Sequence, residues 1–304
     1  MQQTAYEQFF QSYNQRLAQA FEHLTGALDE AQLSRPEYYE QLRHATMNSV
    51  QDWYDEPLPE LNQLTPAEFV RQVEAPEELL SFFKTAALAC DEDLPDILKL
   101  QMGKQAAALT PRLIQLAGEV SYEAEEVASE PVQIAAAAIR LLGEWGQTDA
   151  LSPLLDRFMA PPAPHEFIAD ALHDFCRWNA QAVLPVLQHR LAEASSRQRA
   201  WQTADEYLLI FLTDAAKTSA ADVFDTLRRC FKAMPRKVIA AVCLGDCGDG
   251  RGVALLRTYL ERHQHDIDRQ LYYEALSSIK RLGGQTKDLP DPFHGFEGQS
   301  SLRS

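Results

Sequence analysis

No run of eighteen apolar residues occurs in this 304-residue chain, so nothing in it reads as a membrane-spanning helix. The opening residues, Met1-Gln2-Gln3-Thr4-Ala5-Tyr6-Glu7, lack the basic head and apolar stretch of a secretory signal. β-Branched runs are scarce while aliphatic residues, Ala, Gln and Glu abound, a balance that favours helix over strand. Cysteine is limited to five, an odd number for a disulfide framework. Most of the five lie inside apolar helical patterns, where a thiol behaves as a small hydrophobe. A reducing, cytoplasmic setting fits that usage. Positive charge is also short: 28 Lys and Arg against 44 Asp and Glu leave a net −16. The shortage is one-sided. Residues 1–130 hold 8 bases against 23 acids, whereas residues 131–304 hold 20 against 21. The first part should repel nucleic acid and anionic membrane, and local patches matter more in the second.

What is present is mostly amphipathic helix, 46% hydrophobic overall and enough for a large core. Phe9, Phe10, Tyr13, Leu17, Ala20, Phe21, Leu24 and Leu28 recur at three- and four-residue steps, predicting one helix over 4–30. Ser34-Arg35-Pro36-Glu37 reads as the start of a second, which would carry Tyr38, Leu42, Met47 and Trp53 inward. Prolines 57, 59 and 66 then forbid a continuous helix. Thr65-Pro66-Ala67-Glu68 restarts one as a capping box. The phrase W-x-D-x-P-x-P-x-L-x-x-x-T-P-x-E over 53–68 resembles one found in several bacterial families, among them the toxin-binding end of some antitoxins. Read as packing, Trp53 and Leu58 close a proline turn over helix ends.

Beyond residue 76 the chain repeats itself. Leu142-Gly143-Glu144-Trp145-Gly146 matches Leu244-Gly245-Asp246-Cys247-Gly248, and the offset of 102 residues is three times 34. Two units without the glycines fit between, one around Phe167–Leu187 and one around Tyr207–Phe231. A last helix runs from Leu271 to Leu282. Segments 77–90, 94–101 and 104–118 look like degenerate earlier pairs. Each unit reads as helix, turn, helix. The glycines would stop the first helix in the left-handed conformation, and Asp149 or Asp249 would cap the second. Stacked units bury the stripes in one core. The glycine-containing segments Leu142–Leu155 and Leu244–Leu256 resemble bacterial HEAT-like repeats, a kind also found in the phycobilin lyase-like group. The resemblance, over 131–284, implies an α-solenoid and suggests protein binding.

The expected architecture is therefore all-α: an N-terminal helical hairpin over 1–56, a proline-rich linker and helix start over 57–76, a HEAT-like α-solenoid over 77–284, and a disordered tail over 285–304. Within the tail, Phe293 and Phe296 could anchor onto the last unit or a partner.

Cys243 and Cys247, with Asp246 and Asp249 near, could offer half of a tetrahedral metal site, but no second ligand pair has matching spacing and both fit packing. His263 and His265, two apart, share no helix face and read as a polar loop. His165-Glu166 and His173-Asp174 offer acid–base pairs without a nucleophile. No catalytic residue, metal or cofactor is expected. The densest basic run is Arg228, Arg229, Lys232, Arg236 and Lys237, with Arg251, Arg257 and Arg262 in the next unit. Arg157 and Arg190 recur 33 residues apart, as a ladder on one face would. Binding residues are expected among Arg157, Arg190, Arg228, Arg229, Lys232, Arg257 and Arg262. The expected function is a non-enzymatic scaffold for a protein or peptide partner; the alternatives are nucleic-acid binding through 228–262 and an enzyme or metal protein, with no membrane partner.

Overall fold

A computed structural model describes residues 2–26, 36–90, 93–120, 129–160 and 165–293. Among the described residues every regular element is helical, and no helix is long and apolar enough to cross a membrane. The chain forms two compact units, one of residues 1–119 with 129–141 and one of 120–128 with 142–304.

The first unit is built around aromatic rings. Helix α1 (Gln2–Thr25) buries Tyr6, Phe9, Phe10 and Tyr13, the i, i+3, i+4, i+7 positions of one face. Phe9 meets Phe82 of α4 (Pro76–Ala89) edge-on at 5.2 Å and Trp53 at 5.3 Å, and stacks on Phe69 of α3 (Pro66–Gln72) at 5.7 Å. The predicted stripe is covered only at its N-terminal end. Leu17 is half-buried, Phe21 is 44% exposed, and the helix stops at Thr25; Leu28 lies outside the described residues. Helix α2 (Pro36–Ser49) begins at the proline as expected and buries Leu42 against α1, with Tyr38 and Met47 half-buried; Ser34 and Arg35 are outside the described residues.

The proline stretch is a packed corner. Trp53, in a 3-10 turn (Asp52–Asp55), is 2% exposed and donates from Nε1 to Ser12 Oγ at 3.2 Å. Leu58 and Leu61 are buried beside it. Thr65 Oγ1 accepts from Glu68 N while Glu68 accepts from Thr65 N, the capping box in full. With Trp53, Leu58 and Pro66 all inside, this phrase has its packing role. Helices α5 (Asp96–Gly103) and α6 (Ala106–Gly118) complete the unit with α7 (Glu130–Glu144) up to Leu141. Residues 77–118 thus group with the N-terminal hairpin, not with the later repeats, because Phe82 of α4 sits within the α1 aromatic cluster and α4 packs on both α1 and α6.

The second unit holds helix pairs. They are α8 (Leu151–Phe158), α9 (Glu166–Trp178), α10 (Ala180–Ser195), α11 (Ala204–Ser219), α12 (Phe224–Ala233), α13 (Val238–Asp246), α14 (Arg251–Arg262) and α15 (Arg269–Arg281). α9 packs on α11, α11 on α13 and α13 on α15; α10 packs on α12 and α12 on α14. First helices therefore contact first helices, and second helices contact second helices.

The matched glycines divide their labour. Gly146 and Gly248 take left-handed backbone, φ +65° and +72°, and end α7 and α13 as expected. Gly143 and Gly245 do not stop a helix. They lie in its last turn, where a Cβ would come 3.0 Å from Phe175 Cα or 2.7 Å from Ser278 Oγ. Absence of a side chain lets the next first helix approach. The glycine-free units meet the turn differently. After α11 Ala220 itself is left-handed at φ +53°. After α9 Asn179 keeps a negative φ of −112° and its Nδ2 donates to the carbonyls of Gly143 and Phe175, both at 2.9 Å. Asp249 Oδ1 accepts from Arg251 N at the start of α14, but no side chain caps α8, which follows a 3-10 turn containing Asp149.

The tail departs from expectation. Leu289 is buried, Tyr272 donates to Pro290 O at 3.0 Å, and Phe293 packs edge-on against Tyr272 at 5.7 Å. Residues 285–293 are thus held on the last helices, because Leu289 and Phe293 supply apolar area there; Phe296 and the rest of 294–304 lie outside the described residues.

Candidate functional site

The C-terminus of α10 builds a concavity lined by several cations. Its last turn closes as a Schellman motif: Gln198 N donates to Glu193 O at 2.9 Å and Arg197 N to Ala194 O at 3.1 Å. Arg197 therefore holds the left-handed position, φ +62°, which glycine fills after α7, α13 and α15. The same loop is pinned from below. Arg199 reaches the fully buried Asp205 with both terminal nitrogens, at 2.8 and 2.5 Å, and Gln202 N donates to Asp205 at 2.8 Å. That pairing, with the Asp205 hydrogen bond first, holds the Arg199 guanidinium above its ordinary pKa.

Above the loop is an open cleft of about 820 Å³ lined by His189, Glu193, Arg197, Arg199, Trp201, Arg229 and Lys232 among others. Arg199 is neutralised by Asp205. Arg197, Arg229 and Lys232 are exposed. Arg229 has a long 3.4 Å hydrogen bond to Thr226 Oγ1, and Glu193 sits 3.6 Å from His189. Trp201 is half-buried at the wall.

Of the expected binding residues, Arg229 and Lys232 come together here. Arg228, on the same helix, pairs with Asp225 at 3.0 Å. The other four do not line the cleft. Arg157 donates to Val120 O at 2.8 and 3.1 Å. Arg190 pairs with Asp156 at 2.5 Å, so the suspected ladder is a bridge between second helices. Arg257 fastens the C-terminal segment, pairing with Asp288 at 2.6 Å and donating to Gln285 O. Arg262 is exposed at the end of α14. The 228–262 run is thus divided between α12, the turn after it and α14, and nearby acids take Arg228, Arg236, Arg251 and Arg257. Sequence reasoning missed Arg197, Arg199 and Trp201. The available signal was two arginines and a tryptophan in the polar break between two apolar helices.

The other candidates have structural roles. Cys243 is buried, which pushes its thiol up to about 12, and Cys247 donates to Leu244 O at 3.1 Å. Among the described residues no three His, Cys, Asp or Glu side chains gather as metal ligands. His165 Nδ1 accepts from Phe167 N and caps α9. His173 bonds Asp214 of α11 at 2.9 Å rather than its neighbour Asp174, and Asp214 also takes Lys217 at 2.8 Å. His263 stacks on Tyr259 and pairs with Asp266.

Comparison with known proteins finds no family model, no curated protein and no solved structure that matches the chain.

Proposed function

We propose that the second unit is a HEAT-like α-solenoid and that the protein is a non-enzymatic scaffold that binds a protein partner through it. The observation that carries this reading is the serial packing, first helix on first and second on second, from α9 to α15. Such stacking gives a row of second-helix side chains with no sequence-neighbour covering it, the surface repeat proteins use for binding. Bridges between successive units support it: Asp156 with Arg190, His173 with Asp214, and Asp246 with Arg281 at 2.8 Å. Nucleic acid is the less favoured partner, because the chain carries −16 overall and Arg228 and Arg257 already face carboxylates.

The test is affinity capture from native lysate with and without nuclease. A protein recovered in stoichiometric amount and insensitive to nuclease is expected. Recovery of nothing stoichiometric, or of a nuclease-sensitive complex, contradicts the reading.

A further inference from the structure

We infer that the cleft at the end of α10 holds an acidic segment of the protein partner, its carboxylates on Arg197, Arg229 and Lys232 and an apolar side chain of the same segment on Trp201. The inference rests on the scaffold reading and names the chemistry it recognises.

Four observations support it. Charge is the first. In a chain of net −16, this cleft gathers three exposed cations, Arg197, Arg229 and Lys232; of the acids near it, Asp205 is taken by Arg199, which leaves Glu193 as the one carboxylate in the lining, 3.6 Å from His189. Open clefts of one sign attract the opposite charge. Backbone is the second. Arg197 occupies a left-handed position that L-residues disfavour, where three other helices of the chain use glycine. From that cap Arg197 lines the cleft. The third is anchorage: the Arg199–Asp205 pair and Gln202 N tie the loop to the buried Asp205 beneath the cleft. The fourth is Trp201, a half-buried ring beside the cations, which suits an amphipathic acidic peptide. A nucleic-acid strand would want a series of stacking rings, and among the described residues lining this cleft Trp201 has only the His189 imidazole as a second ring.

The test uses the full chain and a fluorescein-labelled glutamate-rich peptide with one central phenylalanine, followed by anisotropy at low salt. Saturable binding is expected, weakened about tenfold by Arg229→Glu with Lys232→Glu, a change of about 1.4 kcal/mol. Arg197→Gly gives the sharper contrast, since it relieves the backbone: the urea midpoint should rise while peptide affinity falls several-fold. Trp201→Ala should remove the preference for this peptide over an all-glutamate one. No binding at low salt, or affinity unchanged in the charge-reversed variant with its helical circular dichroism intact, overturns the inference. So does an unlabelled single-stranded oligonucleotide that displaces the peptide at equal or lower concentration. Peptide binding with an empty lysate capture would remove the scaffold reading alone. A captured partner that still binds the charge-reversed variant would remove this inference alone.

Discussion

Ala220 and Arg197 sit where a chain turning left-handed gains most from glycine. Ala220→Gly removes a Cβ clash without touching the core and should stabilise by about 0.5–1 kcal/mol, read as a higher urea midpoint. The reverse holds at Gly245. A Cβ there meets Ser278 at 2.7 Å, so Gly245→Ala should cost about 1–3 kcal/mol, whereas Gly250→Ala, with open space around it, should stay within about 0.5 kcal/mol. The thiols give a pH prediction. Burial pushes Cys176 and Cys243 up to about 12 and Cys230 up to about 11. Between the unfolded thiol value of about 8.5 and those values the folded chain holds protons the unfolded chain has released. Stability should be complete below pH ~8.5 and fall as pH rises beyond it. A urea midpoint that stays flat to about pH 10 would contradict this. The glycine pairs were visible in the sequence as a repeat, but their separate roles were not, because close approach of a neighbouring helix leaves no mark at the glycine itself.

Elements in the second unit are joined by two kinds of ion pair, and burial separates them. The Asp156–Arg190 and Asp246–Arg281 bridges are partly exposed, so removing either should cost no more than about 1 kcal/mol. Asp205 is 0% exposed and Arg199 a quarter exposed. Asp205→Ala should therefore cost about 3 kcal/mol, and Arg199→Ala more, since it strands a carboxylate in the core. Equilibrium urea unfolding of Asp156→Ala, Asp205→Ala and Arg199→Ala tests the order. Helix starts at Pro36 and Thr65 and the helix stops at Gly146 and Gly248 could be read locally, because caps and left-handed turns are written within four residues. The coverage of α1 could not. Its apolar stripe continues to Phe21, but only the half facing Phe69 and Phe82 finds a partner, a fact decided by tertiary packing.

At the scale of the molecule, periodicity alone led 77–118 to be grouped with the repeats, while the aromatic cluster of Tyr6, Phe9, Phe10 and Phe82 places those helices in the first unit. The cationic cleft was half legible: Arg229 and Lys232 stand in a dense basic run, but Arg197 and Trp201 join them only through the turn that follows α10. The account depends on alternating helices contacting across one intervening helix. Short bifunctional maleimide cross-linking, in a chain stripped of reactive native cysteines, tests that directly. Asp246→Cys with Arg281→Cys should link α13 to α15, and Asp156→Cys with Arg190→Cys should link α8 to α10, both within one chain. Asp246→Cys with Arg190→Cys should not link. Failure of both rung pairs in a folded, helical protein would contradict the stacked arrangement.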